Sequence, residues 1–139
     1  MSSTQYRVIA IDLDGTLLDD KGELSEKNLE ALRILDKLGV KIILCSARAP
    51  VSIARFCKII GLQNPLVAHN GCLLTQHDGI TKIKSFYITE QIAKSFLNKI
   101  EPLNLLTTLY IDNNWYVNRL ETSIVKRSSI TRMRPNVVS

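Results

Sequence analysis

Over its first seventy residues the chain alternates two hydrophobic rhythms. Tyr6 to Ile11 is a short apolar run rich in β-branched residues that ends at Asp12, the pattern of a buried strand. Asp19-Asp20-Lys21-Gly22 has turn chemistry. Ser25, with Glu26 in the first turn, suits the cap of a helix whose apolar face carries Leu29, Leu32, Leu35 and Leu38 and which Gly39 stops. Val40 to Cys45, interrupted by Lys41, predicts a second strand. Pro50 suits the first turn of a second helix running to Ile60 and ending at Gly61. Pro65 to Ala68 predicts a third, short strand. Three strands joined by two helices imply an α/β fold with a parallel sheet and right-handed crossovers.

After Asn70 the rhythm changes. Leu73-Leu74-Thr75 and Ile80 to Ile83 flank an Asp78-Gly79 turn and predict a hairpin. Thr89 is placed to cap a helix with Ile92, Phe96 and Ile100 on one side. Leu105 to Ile111 and Trp115 to Val117 flank Asp112-Asn113-Asn114, a second hairpin. Glu121 to Ser129 has a weaker helical pattern. The change of rhythm divides the chain into residues 1–84 and 85–139.

Composition narrows the class. The chain has 139 residues, 45% apolar and 22% charged, which are globular proportions. Its longest apolar runs fall well short of the roughly 20 residues that span a bilayer. The first six residues have neither the basic start nor the apolar stretch of a secretory signal, so a cytoplasmic protein without a membrane partner is expected. Cys45, Cys57 and Cys72 are odd in number and lack C-x-x-C spacing, which predicts buried free thiols rather than a disulfide framework or a zinc site.

The net charge of +5 is unevenly spread. Residues 1–69 carry nine basic and eight acidic side chains, whereas residues 70–139 carry nine and five. Lys126, Arg127, Arg132 and Arg134 follow the last acidic residue, Glu121. RNA, a phosphorylated substrate or an acidic lipid could meet such a tail. No aromatic residues interleave with it, so a solvated helix face is expected and nucleic acid is disfavoured.

Ligands of parallel α/β sheets collect outside the carboxyl ends of the strands. Three segments deliver polar groups there: Asp12, Asp14 and Thr16, then Ser46 and Arg48, then His69 and Asn70. Asp12-Leu13-Asp14-Gly15-Thr16 is the most informative. Two carboxylates so close repel and call for a cation or a proton, and Mg²⁺ suits carboxylate and phosphate oxygens. Gly15 lets the backbone turn and bring amides to an anion, and Thr16 adds a hydroxyl. An ionised Asp can attack phosphorus, and a metal offsets the repulsion between the two anions.

With Cys45-Ser46-Ala47-Arg48 and His69-Asn70-Gly71 at the next two strand ends, the chain resembles the haloacid dehalogenase-like phosphohydrolases. Within them it looks like the Cof-type branch, with its large α/β cap inserted after the third strand. The resemblance implies a partial Rossmannoid core in 1–84 and the start of the cap in 85–139. It implies Asp12 as nucleophile, Asp14 as general acid and base, and Mg²⁺ held by the Asp12 carboxylate and the Asp14 carbonyl. Gly15, Thr16 and Ser46 would bind phosphate, with Ser and Ala47 standing where Thr and Gly are commoner. Arg48 either orients substrate or forms a structural ion pair, and Asn70 either contacts substrate or simply makes its turn. His69 is expected to be a turn residue. Tyr110, Trp115 and Tyr116 are expected on packed strand faces.

The implied activity is hydrolysis of small phosphorylated metabolites, sugar phosphates among them, with phosphomutase chemistry as a variant. The family's later lysine and second acidic cluster find no counterpart here; Lys82, Lys84 and Asp112 lie in hairpins. The expectation is therefore a part of a longer parent enzyme, or else a catalytically incomplete interaction module. A phospho-acceptor signalling domain is disfavoured, because its acceptor Asp would end the third strand, where His69-Asn70 stands. The family's sheet order also predicts an open edge on the first strand, covered by a second copy of the chain or by a rearranged segment.

Overall fold

The computed structural model describes residues 6–138; the reading of the first six residues as lacking a secretory signal falls, apart from Tyr6, outside them. Strands β1 (Val8–Asp12), β2 (Lys41–Cys45) and β3 (Leu66–Ala68) alternate with helices α1 (Glu26–Lys37) and α2 (Pro50–Ile60). β1 pairs parallel with β2 in the register Ile9↔Ile42 and Ile11↔Leu44, and β2 pairs parallel with β3 at Cys45↔Val67. Strands β4 (Leu73–Thr75) and β5 (Lys82–Ser85) extend the same sheet antiparallel, giving the order β1-β2-β3-β4-β5.

The helix signals act as predicted. The Ser25 hydroxyl accepts from the Asn28 amide at 3.2 Å. Pro50 occupies the first turn of α2, and Gly61 ends it in a left-handed conformation (φ 98°) that a side chain would resist. Successive crossovers of one hand in a 1-2-3 strand order put both helices on one sheet face. α1 and α2 accordingly touch: the Arg33 guanidinium donates to the Ile59 and Ile60 carbonyls. Ile42, Leu44, Ile53, Phe56 and Leu66 fill the space between helices and sheet.

This one-sided packing corrects two expectations. β1 is not buried: its residues alternate between exposed and half-buried, and Val8 is 54% exposed. Among the described residues it is an edge strand, paired with β2 alone. Leu38 also leaves the core. It forms the C-cap of α1 and is 67% exposed, while Leu32 is buried and Leu29 and Leu35 pack at the margin.

The second half forms α3 (Glu90–Ile100), β6 (Thr108–Ile111), β7 (Asn114–Val117), α4 (Thr122–Thr131) and β8 (Asn136–Val137). β6, β7 and β8 make a separate three-stranded sheet, and β8, unforeseen from the sequence, pairs parallel with β7. Trp115, Val117 and Ile124 are its small core. Thr89 caps α3 as expected, but Ile92 and Phe96 are exposed along it. No helix among the described residues is long and apolar enough to cross a membrane.

The two sheets meet at the β6–β7 turn. Asp112 accepts from Lys82 Nζ at 2.7 Å and from the Tyr87 hydroxyl. Its carbonyl meets His69 Nε2 at 2.8 Å. Asn113 accepts from the Val51 amide at 2.9 Å and donates to the Gly79 carbonyl at 2.8 Å. These bonds latch the hairpin onto the first sheet.

Lys82, and then Tyr87, hold the Asp112 carboxyl below its ordinary pKa, and Asp112 in turn raises Lys82. A depressed acid stabilises the fold fully above its unfolded value, about 3.9, and loses that contribution as pH falls through the lower folded value. A raised lysine contributes fully below its unfolded value, about 10.4, and loses it as pH rises through the folded value. The latch is therefore expected to be intact between these limits. Trp115 lies in this hairpin, and its fluorescence should report loosening below about pH 4 and above about pH 10.4. Asp112→Asn should shrink the acid-side change; an unaltered acid limb would contradict the assignment.

Candidate active site

β1 runs straight to Asp12, after which the chain coils. The Leu13 carbonyl accepts from the amides of Thr16, Leu17 and Leu18 at 3.3, 3.0 and 2.9 Å. Leu13 itself is fully buried and pins this turn, and Gly15 (φ 77°) supplies its left-handed residue. The coil separates the two carboxylates. Asp12 is exposed and accepts the Thr16 hydroxyl on Oδ2 at 3.1 Å, so Oδ1 is left open. Asp14 turns toward the loop after β2, where Arg48 donates from Nε to Oδ2 at 2.9 Å and from Nη2 to Oδ1 at 2.5 Å.

Arg48 is the anchor of that loop. Its side chain is 4% exposed against 52% for Asp14, and its guanidinium lies 5.7 Å from the Phe56 ring centre. The Ser46 hydroxyl accepts from the Arg48 amide at 3.2 Å and reaches Asp14 Oδ2 at 3.5 Å. The third strand end joins through the backbone: the His69 amide donates to the Arg48 carbonyl and the Asn70 amide to the Ser46 carbonyl, each at 3.2 Å. His69 and Asn70 both hold positive φ (50° and 55°), a costly pair of left-handed residues at the carboxyl edge of the sheet. The predicted site residues after the three strands thus converge. Arg48 makes the ion-pair alternative real.

Beside this cluster lies a cavity of about 1100 Å³, bounded by the first sheet on one side and by β6 and α4 on the other. Asp14, Arg48 and Asn70 line it; Asp12 does not, and stands on the open edge of β1. Several lining residues were not foreseen. Tyr110 faces the cavity while stacking on Trp115 at 5.9 Å and meeting His69 at 5.3 Å, so His69 is both a turn residue and a contact to the hairpin. Lys126 and Arg127 also line the cavity; both are exposed, so the solvated helix face expected from the sequence is one that borders this cavity. Their i, i+3, i+4 spacing from Ser123 was the available signal.

Only Cys57 of the three thiols is buried, and burial raises its pKa to about 11. Cys45 is half-buried and raised by burial and then by the Asp12 charge. Cys72 is exposed, because it follows the turn that brings the chain out at the sheet edge. The two raised thiols are poor nucleophiles.

The donors suit a hard cation in kind: a carboxylate with one open oxygen and a neighbouring main-chain carbonyl. They are few in number. No group of three or more His, Cys, Asp or Glu able to hold a metal occurs among the described residues. Mg²⁺ tolerates this, since it commonly takes one or two carboxylates and completes its shell with water and substrate phosphate.

A family profile described as haloacid dehalogenase-like hydrolase matches residues 9–137. The chain is 26% identical to pyridoxal phosphate phosphatase YbhA of Escherichia coli over 129 residues, covering 93% of this chain and 47% of that protein. It is 29% identical to phosphoglycolate phosphatase of Thermoplasma acidophilum over 109 residues, 78% of this chain and 47% of that one. A haloacid dehalogenase-like hydrolase from Bacteroides thetaiotaomicron superposes with a TM-score of 0.82 at 18% identity, over 96% of this chain and 52% of the other, and so shares its fold. The chain spans half or less of the length of the curated relatives it matches.

The Arg48–Asp14 pair can be tested by a swap that keeps the charge. Lysine cannot make two parallel bonds to a carboxylate or lie flat near Phe56. Arg48→Lys should lower unfolding stability in urea by roughly 1.5–3 kcal/mol, the range for bonds to charged groups. A midpoint unchanged from the parent protein would show that the pair is not formed.

Proposed function

The chain belongs to the haloacid dehalogenase-like hydrolase family, and from that membership we propose that it supplies the nucleophile and acid–base half of a phosphatase acting on small phosphorylated metabolites, sugar phosphates among them. The carrying observation is the divergence of Asp12 and Asp14: one carboxylate open on the strand edge, the other turned into the cavity beside Ser46 and Arg48. Phosphatases among the relatives support the same reading.

Asp12 Oδ1 attacks phosphorus while the bond to the leaving oxygen breaks, and the phosphoryl group passes to Asp12 as an acyl phosphate. Protonated before the step, Asp14 gives that proton to the leaving oxygen and becomes the carboxylate that pairs with Arg48. It then takes one from the water that attacks phosphorus, releasing phosphate and restoring Asp12. The Thr16 hydroxyl orients Asp12 through Oδ2. Ser46, already within reach of Asp14, donates to the transferring group, as Gly15 does through its amide. Arg48 and Asn70 bound the leaving-group side. Mg²⁺ held by the Asp12 carboxylate and the Asp14 carbonyl would offset the repulsion between carboxylate and phosphate.

A second reading, a catalytically incomplete module, is favoured by the shortage of acidic groups around Asp12 among the described residues. One assay separates the two. With Mg²⁺ and a panel of small phosphate monoesters, the protein should release inorganic phosphate, and Asp12→Asn should cut release by about 10³-fold or more. Release that survives Asp12→Asn would sink the phosphatase reading; no release from the parent protein would favour the module.

A further inference from the structure

The charges around the cavity do not cancel. Asp14 is paired with Arg48, Asp112 with Lys82, and Glu90 with Lys94 at 2.6 Å. Each acid lining the cavity therefore already has its own cation. Lys126 and Arg127 line the same cavity and form no side-chain hydrogen bond or ion pair among the described residues. Two exposed positive charges are left over on the wall of the cavity that Asp14 also lines.

Their direction is fixed by α4. Ser123, Lys126, Arg127, Ile130 and Thr131 all line the cavity, and their spacing of i, i+3, i+4, i+7, i+8 is one continuous helix stripe. Ile124, off this stripe, is buried with Trp115 and Val117 and sets the rotation of the helix. The C-terminal end of α4 is tied to the first sheet's layer, where the Ser52 hydroxyl donates to the Thr131 carbonyl at 2.9 Å. Ile130 also lies close against Gly22: a Cβ built on that glycine would come within 2.9 Å of it. The helix is thus held at one end by its own small core and at the other by the catalytic layer.

We propose that Lys126 and Arg127 form an anion subsite that selects phosphate monoesters whose leaving group carries a second anionic group, a carboxylate or a further phosphate. This rests on the phosphatase reading above and extends it to the substrate class. Two unpaired cations opposite an acid that already has its partner favour a ligand with negative charge at both ends. Apolar surface from Leu73, Tyr110 and Ile130 lies between and suits a short carbon chain.

3-Phosphoglycerate and glycerol 3-phosphate differ at a carboxylate against a hydroxymethyl group, and they serve as the probes. With Mg²⁺ present, kcat/KM should favour 3-phosphoglycerate, and Lys126→Gln with Arg127→Gln should lower that preference roughly 10- to 100-fold, as expected for charge-assisted bonds. Lys126→Arg with Arg127→Lys keeps both cations and should retain most of it. An unchanged preference in the glutamine variant, or no preference in the parent protein, would overturn the subsite. If neither ester is hydrolysed, the phosphatase reading is still decided separately, by the monoester panel. The subsite is then decided by calorimetric binding of the same two probes to the Asp12→Asn protein. Tighter binding of 3-phosphoglycerate that the glutamine variant abolishes supports it, and equal binding of the two probes refutes it.

Discussion

The ion pair between Arg48 and Asp14 is the constraint on which the site depends. A guanidinium this deeply buried is costly unless its charge and donors are met. Asp14 meets two of them, and the same arginine residue accepts the His69 amide and donates its own amide to Ser46. One residue thus links the loops after β1, β2 and β3. These loops have little regular structure of their own, so their relative positions follow from these few polar contacts over a packed hydrophobic base. The left-handed backbone at His69 and Asn70 fits this account: neighbouring contacts hold conformations that the chain would not choose alone.

Much of this was legible in the sequence, and the parts that were not share a cause. Local signals carried the helix ends: Ser25, Pro50, Gly61 and Thr89 mark them within a few residues, and the structure keeps them. The convergence of Asp14, Ser46 and Asn70 followed from parallel topology. Burial was misjudged where it depends on partners distant in the chain. The β-branched run of β1 matches a strand covered on both faces, yet among the described residues α1 and α2 lie on one face and β2 on one edge, and Val8 stays 54% exposed. Leu38 keeps the helical spacing but falls at the cap, where the helix face has already turned away. Neither error is one of propensity.

The basic tail teaches a different lesson. Counted along the chain, Lys126, Arg127, Arg132 and Arg134 form one group with no acid after Glu121. The fold divides them. Lys126 and Arg127 lie on the stripe of α4 that faces the cavity, whereas Arg132 caps the helix in a left-handed conformation. Burial, and then the charges of Arg132 and Arg48, depress the pKa of Arg55. A net charge summed over a sequence could not have separated these roles, because the separation depends on helix rotation, which the burial of Ile124 fixes.

The different surroundings of Asp12 and Asp14 follow from the same geometry. In a continued strand, residues two apart share a face, and two carboxylates there would stand side by side and repel. The coil around the Leu13 carbonyl prevents this by turning the chain immediately after Asp12. Asp12 then keeps solvent and an open oxygen, which nucleophilic attack requires. Asp14 gains an arginine and a place on the cavity wall, where a leaving group would lie. One buried leucine and three amides therefore turn a repulsive pair into two groups with separate tasks. The apolar side chain between the carboxylates is as much a part of the site as they are.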